Sequence, residues 1–433
     1  SERSAKIRVE VIDSDAPNAH AGYGEIELDQ SANNESPALL MYTSGTTGTP
    51  KGVMHSFGNF AWSVAAGLKR VPQINGTARM LSYLPLSHVV ERTLVQHGQL
   101  ATGMHIYFVE SLETFSKDLQ RARPTVFFSV PRLWLKFQQG IHTKLPAGKL
   151  AQLLKIPIVA TMVRRKVLKG LGLDACELAA VGAASMPPAL LQWFHRLGLP
   201  IVEGYGMTEN CAISHMTPQG QLLPGSVGLP FDGVSCRIEN SDGEIQMTSL
   251  GMMLGYYREP ELSAAAFTPD GWFKTGDKGR INAQGALSIT GRVKDLFKTS
   301  KGKYVAPAPI EERLIMHEAL EAVCVVGTNL AQPIAVAMLS DYGTKRSSDP
   351  NASALLRKEL SVHLAKINDI LDPHERVQQL VVMTEPWSVD NDLITPTFKV
   401  KRNRVEERFA SYFEQWSAAE ESVLLIDTTL SHV

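Results

Sequence analysis

Residues 42–53 read "YTSGTTGTPKGV" and follow directly on the apolar run "PALLM". Thr43, Ser44, Thr46 and Thr47 supply hydroxyls, Gly45 and Gly48 supply backbone freedom, and Lys51 closes the string. A strand that empties into such a loop can cradle phosphate: glycines let the backbone approach, hydroxyls and N–H groups donate to phosphate oxygens, and the lysine offsets charge. A Walker A loop is excluded, because Gly45 and Gly48 stand too close together and Pro50 precedes the lysine. An ordinary surface turn uses the same residue types, so the rest of the chain must decide between the two.

At 433 residues the chain exceeds what one hydrophobic core serves, and two or more domains are expected. With 43 basic against 44 acidic residues, net charge −1, no overall field favours nucleic acid or an anionic surface. The four cysteines, Cys176, Cys211, Cys236 and Cys324, have no C-x-x-C spacing, which suggests neither a zinc site nor a disulfide scaffold and fits a reducing, cytoplasmic interior. No uninterrupted apolar stretch is long enough to span a bilayer, and the first residues lack the apolar core of a signal peptide.

Up to about Arg292, strand-like runs such as "ALLMY" (38–42), "TVFFSV" (125–130) and "LPIVEGYG" (199–206) alternate with helix-like segments such as "PPALLQWFHRLG". That alternation predicts an α/β sheet. After Gly225 a strand-and-turn pattern takes over, with a hairpin expected about Asp242-Gly243. The reading is therefore a large domain over 1–292, with a β-rich subdomain at 225–292, and a small α+β domain over 293–433. The small domain is expected to run helix, two strands, helix, strand, with the tail "SAAEESVLLIDTTLSHV" peripheral to it. Between Lys144 and Lys169 the chain carries Lys144, Lys149, Lys155, Arg164, Arg165, Lys166 and Lys169 and no acid. A solvated helix face accounts for this run; an anionic membrane surface, bound through 144–170 in a salt-sensitive way by Arg164, Arg165 and Lys166, is the functional alternative.

Further motifs follow in order: "LPLSHVVER" (84–92), "VGAASMP" (181–187), "EGYGMTE" (203–209), "GWFKTGD" (271–277), "GRVKDLFK" (291–298) and "LITPTFKVKR" (393–402). Together with the opening loop they resemble the signature motifs of the adenylate-forming superfamily, which holds acyl-CoA synthetases, luciferases and peptide-synthetase adenylation domains. The Glu91-Arg92 pair and "TFK", where many members have glycine in place of Phe398, resemble the long-chain fatty acid–CoA ligase branch. The resemblance implies ATP, Mg2+ and coenzyme A as partners of a fatty acid. It implies Mg2+ contacts from Glu209 and Thr43, an α-phosphate contact from Thr208, and substrate positioning by His88. The ATP loop comprises Thr43, Ser44, Gly45, Thr46, Thr47, Gly48 and Lys51. Gly182, Ala183 and Ala184 would border the adenine, with Glu203, Gly204 and the ring of Tyr205 beside it. Asp277 would hold the ribose with Arg292. Lys294 marks the hinge, Lys298 belongs with the nucleotide contacts, and Gly302, in "SKGKY", lies along the pantetheine route.

Lys399 is expected to serve the first half-reaction. Negative charge gathers on phosphate oxygens as a carboxylate attacks the α-phosphorus, and a preorganised ammonium stabilises that state more than the ground state. Taken without the motif, Lys399, Lys401, Arg402 and Arg404 read as a solvated basic face. Two alternatives accompany the CoA reading: delivery to an acyl-carrier protein, and a nucleotide-binding fragment without turnover. In the family the "TSGTTG" loop follows a substantial α/β segment, whereas here 42 residues precede it. A longer natural N-terminus, weak turnover by residues 1–433 alone, and aggregation or pairing with another chain, including a homodimer, are expected on that ground.

Overall fold

The computed structural model describes residues 32–43, 50–111, 113–395 and 399–426. Strands Val126–Ser129, Leu178–Val181 and Ile201–Tyr205 run parallel, and the sheet continues antiparallel through His215–Met216 and Leu229–Pro230. Side chains alternate across each strand. Phe127, Ala179 and Ile201 therefore join Trp134, Phe137, Leu190 and Phe194 of the helices Pro131–Lys144 and Pro188–Arg196, while Val126, Leu178 and Val202 face a second core with Met80, Val95 and Ile213. Both faces are covered, as a parallel sheet requires.

Strands Pro37–Thr43 and Lys51–Ser56 form an antiparallel hairpin, completed by Gly255–Tyr256. The expected β-rich segment is a four-stranded antiparallel sheet: Ser235–Ile238, Glu244–Thr248, Phe273–Ile281 and Leu287–Arg292. Its first hairpin turns about Asp242-Gly243, with Ile238 opposite Ile245. Val53 and Tyr256 of the first sheet pack with Ile245, Met247, Phe273 and Leu287 of the second, so the two sheets are fixed against each other.

The C-terminal part is built on strands Leu320–Val326, Ile334–Leu339, Leu380–Met383 and Val423–Ile426. The first of these is buried at every position. Val323, Val325, Ala335 and Val382 pack on the helices Pro307–Leu314 and Pro350–Asn368. Cys324, Val336, Val381 and Met383 pack on Val405 and Phe409 of the helix Arg402–Phe409. One expectation is corrected here. The described part of the tail is not peripheral, because Val423–Ile426 adds a parallel edge strand, Leu380 opposite Val423, and Val423 is buried. Four apolar residues, "VLLI", suffice to complete the core although polar residues surround them.

Candidate active site

The chain emerging from the C-terminal ends of the three parallel strands, Val130-Pro131, Gly182 to Ser185 and Gly206 to Glu209, lines one cleft of about 1630 Å3. Open α/β sheets bind ligands at this edge. The hairpin of Pro37–Thr43 and Lys51–Ser56 forms one wall, with Thr43 opposite Lys51 and both on the cleft. Ser44, Gly45, Thr46, Thr47 and Gly48 lie outside the described residues. The Lys51 ammonium sits 5.2 Å from the Tyr256 ring centroid, and the Tyr256 hydroxyl donates to Glu209 Oε1 at 2.9 Å. Burial, and then the Glu209 charge, pushes the Tyr256 phenol up, so it stays a donor. Tyr256 escaped the sequence reading; the string "GYY" read as a strand would have put one tyrosine on each face.

Thr208 and Glu209 occupy a single helical turn, Thr208–Asn210, held by a 2.7 Å hydrogen bond from His55 Nε2 to the Thr208 carbonyl. Among the described residues no group of three or more His, Cys, Asp and Glu side chains could enclose a metal ion. One carboxylate with hydroxyls beside it suits Mg2+, which keeps several waters and takes its remaining ligands from phosphate. Glu209 and Thr43 fit that donor set.

On the opposite wall Asp277 is gripped from two sides: Arg292 Nε donates to Oδ1 at 2.8 Å and the Tyr205 hydroxyl to Oδ2 at 2.7 Å. Strand register places Asp277 directly across from Arg292. Burial opposes the Arg292 charge, but Asp277 outweighs it and raises the guanidinium's pKa. Burial first, then the Asp277 charge, drives Tyr205 well above its usual range. The turn Gly182 to Ala184 is tight. A Cβ at Gly182 would stand 3.0 Å from the Gly204 carbonyl oxygen and 3.1 Å from the Phe128 ring, and Ala183 takes a left-handed conformation, φ 67°. Such strain persists where surrounding structure enforces it, commonly at functional turns.

His88 lines the cleft and is pushed down to about 4, first by burial and then by the Lys399 charge, so it is neutral near pH 7. Its Nδ1 accepts from the Val90 N–H at 3.3 Å, leaving the proton on Nε2. The neighbouring Glu91 faces away, buried and hydrogen-bonded to the Ser82 hydroxyl, and burial pushes it up to about 7.

Lys399 reaches this cleft from the C-terminal part. Its loop is closed by Thr395 N–H to Lys399 O at 2.8 Å and Lys399 N–H to Thr395 Oγ1 at 3.0 Å; Phe398 is outside the described residues. The neighbouring cations are engaged: Lys401 with Asp392, Arg402 with Glu311 at 2.7 Å, and Arg404 with Asp392 and Glu407 at 2.7 Å each. Among the described residues Lys399 alone of the four has no ion-paired carboxylate. It is accessible from the cleft yet walled in by it, and that enclosure lowers its pKa, followed by the Arg292 charge, with Asp277 opposing.

Beside the cleft the two parts meet at a charged seam. Glu321 receives Arg132 Nη2, Arg132 Nε at 3.1 Å and Lys136 Nζ at 2.9 Å, and Gln139 Nε2 donates to the Leu320 carbonyl at 3.2 Å. Burial alone would raise Glu321, but the Arg132 and Lys136 charges hold it below the usual carboxylate range. Sequence reasoning missed this cluster, since its members lie 189 residues apart.

Not every expected residue reaches the cleft. Gly204, Tyr205 and Lys294 line it, but the Glu203 side chain does not. Glu203 sits two residues before the end of its strand, buried, with Oε2 lacking a partner among the described residues. Lys298 and Gly302 lie on the ribbon Phe297–Lys298 with Tyr304–Val305, away from the cleft because Phe297 and Val305 anchor it in the small domain's core.

Residues 2–257 match the family model for AMP-binding enzymes, and residues 294–421 match that for the AMP-binding enzyme C-terminal domain. The long-chain-fatty-acid–CoA ligase FadD15 of Mycobacterium tuberculosis is 31% identical over 87% of this chain and 69% of its own length. Long-chain-fatty-acid–CoA ligase 5 of Rattus norvegicus is 30% identical over 87% of this chain and 62% of its own length. The A-PCP didomain of a carboxylic acid reductase from Segniliparus rugosus, solved in complex with AMP, superposes with a TM-score of 0.72 at 25% identity, over 89% of this chain and 54% of that one. The chain thus spans about half to two thirds of the length of these relatives.

Proposed function

The chain belongs to the AMP-binding enzyme family, and from that premise we propose that it activates a long-chain fatty acid with Mg-ATP and passes the acyl group to coenzyme A. In the first step the fatty carboxylate attacks the α-phosphorus and pyrophosphate leaves; in the second the thiol attacks the acyl-adenylate carbonyl and AMP leaves. No enzyme nucleophile is needed, so the chain's contribution is positioning and charge. Asp277 would accept both ribose hydroxyls, held for that task by Arg292 and Tyr205. Thr43, Thr208 and Lys51 would meet phosphate oxygens, and Glu209 with Thr43 would hold Mg2+, which would supply positive charge to offset that of the phosphates. Neutral His88 would donate through Nε2 near the substrate carboxylate. Lys399 would balance the charge that builds at the α-phosphate.

The observation that carries this reading is the arrival of Lys399, without an ion-paired carboxylate among the described residues, in the cleft that Asp277, Arg292 and His88 share. The apolar end of the cleft, with Val71, Ile74, Met80, Val126 and Ile213, supports an acyl chain as substrate. A panel of fatty acids, read by acid-dependent pyrophosphate exchange and AMP release, tests it. Exchange with no fatty acid would reject the substrate class, and ATP binding without exchange would leave a nucleotide-binding fragment. The likeness to a domain solved together with a peptidyl carrier favours one second reading, transfer to an acyl-carrier protein. Offering CoA and a loaded-arm carrier protein as competing acceptors separates the two.

A further inference from the structure

The basic run between Lys144 and Lys169 was left aside by the site, and the structure gives it a shape. The helix Pro157–Leu171 packs its inner face, Ala160, Val163, Val167 and Leu171, on the core of the large domain. Its apolar needs are met there. Yet Ile156, Ile158 and Met162 stand 53%, 79% and 69% exposed on the outer side. Residues at i, i+4, i+7 and i+8 share a helix face, so Ile158 and Met162 continue into Arg165, Lys166 and Lys169, all exposed. The outer face is apolar in its first half and cationic in its second.

The cations are not committed elsewhere. No ion pair among the described residues involves Arg165, Lys166 or Lys169, and Asp174, whose carboxylate feels the Lys169 charge, is already bound by Arg123 at 2.8 Å. Arg164 differs: its Nε donates to the Arg196 carbonyl at 3.1 Å, so it anchors the helix to the body of the domain. The three cations on the face are therefore Arg165, Lys166 and Lys169, a change from the trio expected on sequence alone.

We propose that this face docks the protein on an anionic lipid bilayer, with Ile156, Ile158 and Met162 entering the boundary of the acyl chains and Arg165, Lys166 and Lys169 meeting lipid phosphates. Two features select a bilayer. A polyanion such as nucleic acid gains nothing from three exposed apolar side chains, and a bilayer interface takes both kinds of group at once, at different depths. Charge complementarity carries the rest: seven cations and no acid fall between Lys144 and Lys169. The helix is already formed and packed on the domain, so binding carries no cost of folding it. The inference is independent of the acyl-CoA reading, because it is read without turnover.

Flotation of the intact chain with vesicles tests it. Mixed phosphatidylcholine and phosphatidylglycerol vesicles should bind the protein, pure phosphatidylcholine vesicles much less, and raising salt should weaken the binding, since surface charges are screened beyond roughly 10 Å at ~0.1 M. The variant Arg165→Gln/Lys166→Gln/Lys169→Gln should lower the partition coefficient roughly tenfold or more. Ile158→Ser/Met162→Ser should remove the part of the binding that survives high salt. Both variants change solvent-facing side chains, and circular dichroism melts matching the parent would confirm intact folding. Equal binding to neutral and anionic vesicles, no binding to either, or binding that neither variant alters would overturn the proposal; the last of these would assign the face to a protein partner or to another part of the molecule.

Discussion

The two walls of the cleft are built in opposite ways. On the large domain the two carboxylates facing the cleft are held by neighbours from their own fold: Asp277 by Arg292 and Tyr205, Glu209 by Tyr256. On the small domain Lys399 has no such partner among the described residues, and its place depends on how two separately cored bodies meet at Glu321. A group fixed in its own domain serves bound reactant and transition state alike. One delivered by docking can act in one step and be absent from another. Binding energy should accordingly reside in the first wall and rate in the second.

Lys399→Ala carries the largest expected effect. Loss of a preorganised charge at a developing oxyanion costs about 100- to 1,000-fold in rate, and adenylate formation, followed by pyrophosphate exchange, should fall by that much or more. Thioester formation from supplied acyl-adenylate should stay largely intact. Equal loss in both assays would erase the contrast between the walls. Asp277→Ala comes next, on the other wall. It should raise the KM for ATP roughly ten- to a hundredfold with little change in kcat, because ribose contacts are present before and during the reaction and a lost charged hydrogen bond is worth ~1.5–3 kcal/mol. Unchanged ATP affinity by calorimetry would remove Asp277 from the binding wall.

Glu321→Gln probes the seam itself. The substitution keeps the shape but removes the carboxylate charge that Arg132 and Lys136 share, and the docked arrangement that delivers Lys399 should become less populated. Adenylation kcat should fall about tenfold, or ~1.4 kcal/mol, while ATP affinity is kept. The exposed partner should matter less, so Lys136→Ala is expected to cost under a third of that. Charge exchange, Arg132→Glu with Glu321→Arg, should recover part of the rate if the seam acts by attraction. A drop in ATP affinity parallel to kcat would instead mean that Glu321 supports the large domain's fold.

This division also marks what the sequence disclosed. Asp277 with Arg292, Thr43 with Lys51 and the strand-like runs 38–42, 125–130 and 199–206 were legible because each sits in a short segment whose local pattern sets its geometry. For Glu203 the same local reading reached only so far: adjacency to Tyr205 in the string "EGYGMTE" suggested the site, and the structure puts Gly204 and Tyr205 on the cleft with the Glu203 side chain buried behind them. Arg132 with Glu321, and Tyr256 with Glu209, were invisible because each pair joins distant segments whose meeting depends on sheet packing. The edge strand Val423–Ile426 was hidden by brevity: four residues carry little periodic signal, although their burial completes a sheet.

The smallest expected effect lies behind the first wall, where the seam has a second and weaker contact. Glu203 of the large domain faces Glu312 of the helix Pro307–Leu314, with the Met186 N–H donating to Glu203 and Ser185 bonded to Glu312. Arg313 and Glu311 also act on Glu312, in opposite senses. Burial, and then the Glu312 charge, pushes Glu203 up to about 8 from an ordinary 4.5, and burial raises Glu312 as well. A carboxyl whose pKa is raised in the docked fold binds a proton more tightly there than in the open chain. Its contribution is full below the ordinary value near 4.5 and is lost progressively as pH rises through 8. Stability should therefore decline across that window and level off above it. Glu203→Gln, which keeps the hydrogen-bonding shape without the charge, should flatten the decline and raise the melting temperature at pH 8 relative to the parent, by a few degrees at most, on the order of 1 kcal/mol. Melts taken from pH 6 to 9 on both proteins, with vesicles absent, would measure it. A variant that melts lower than the parent at every pH and keeps the same slope would mean that Glu203 is ionised and paired in the fold, and the second contact at the seam would then work with the first rather than against it.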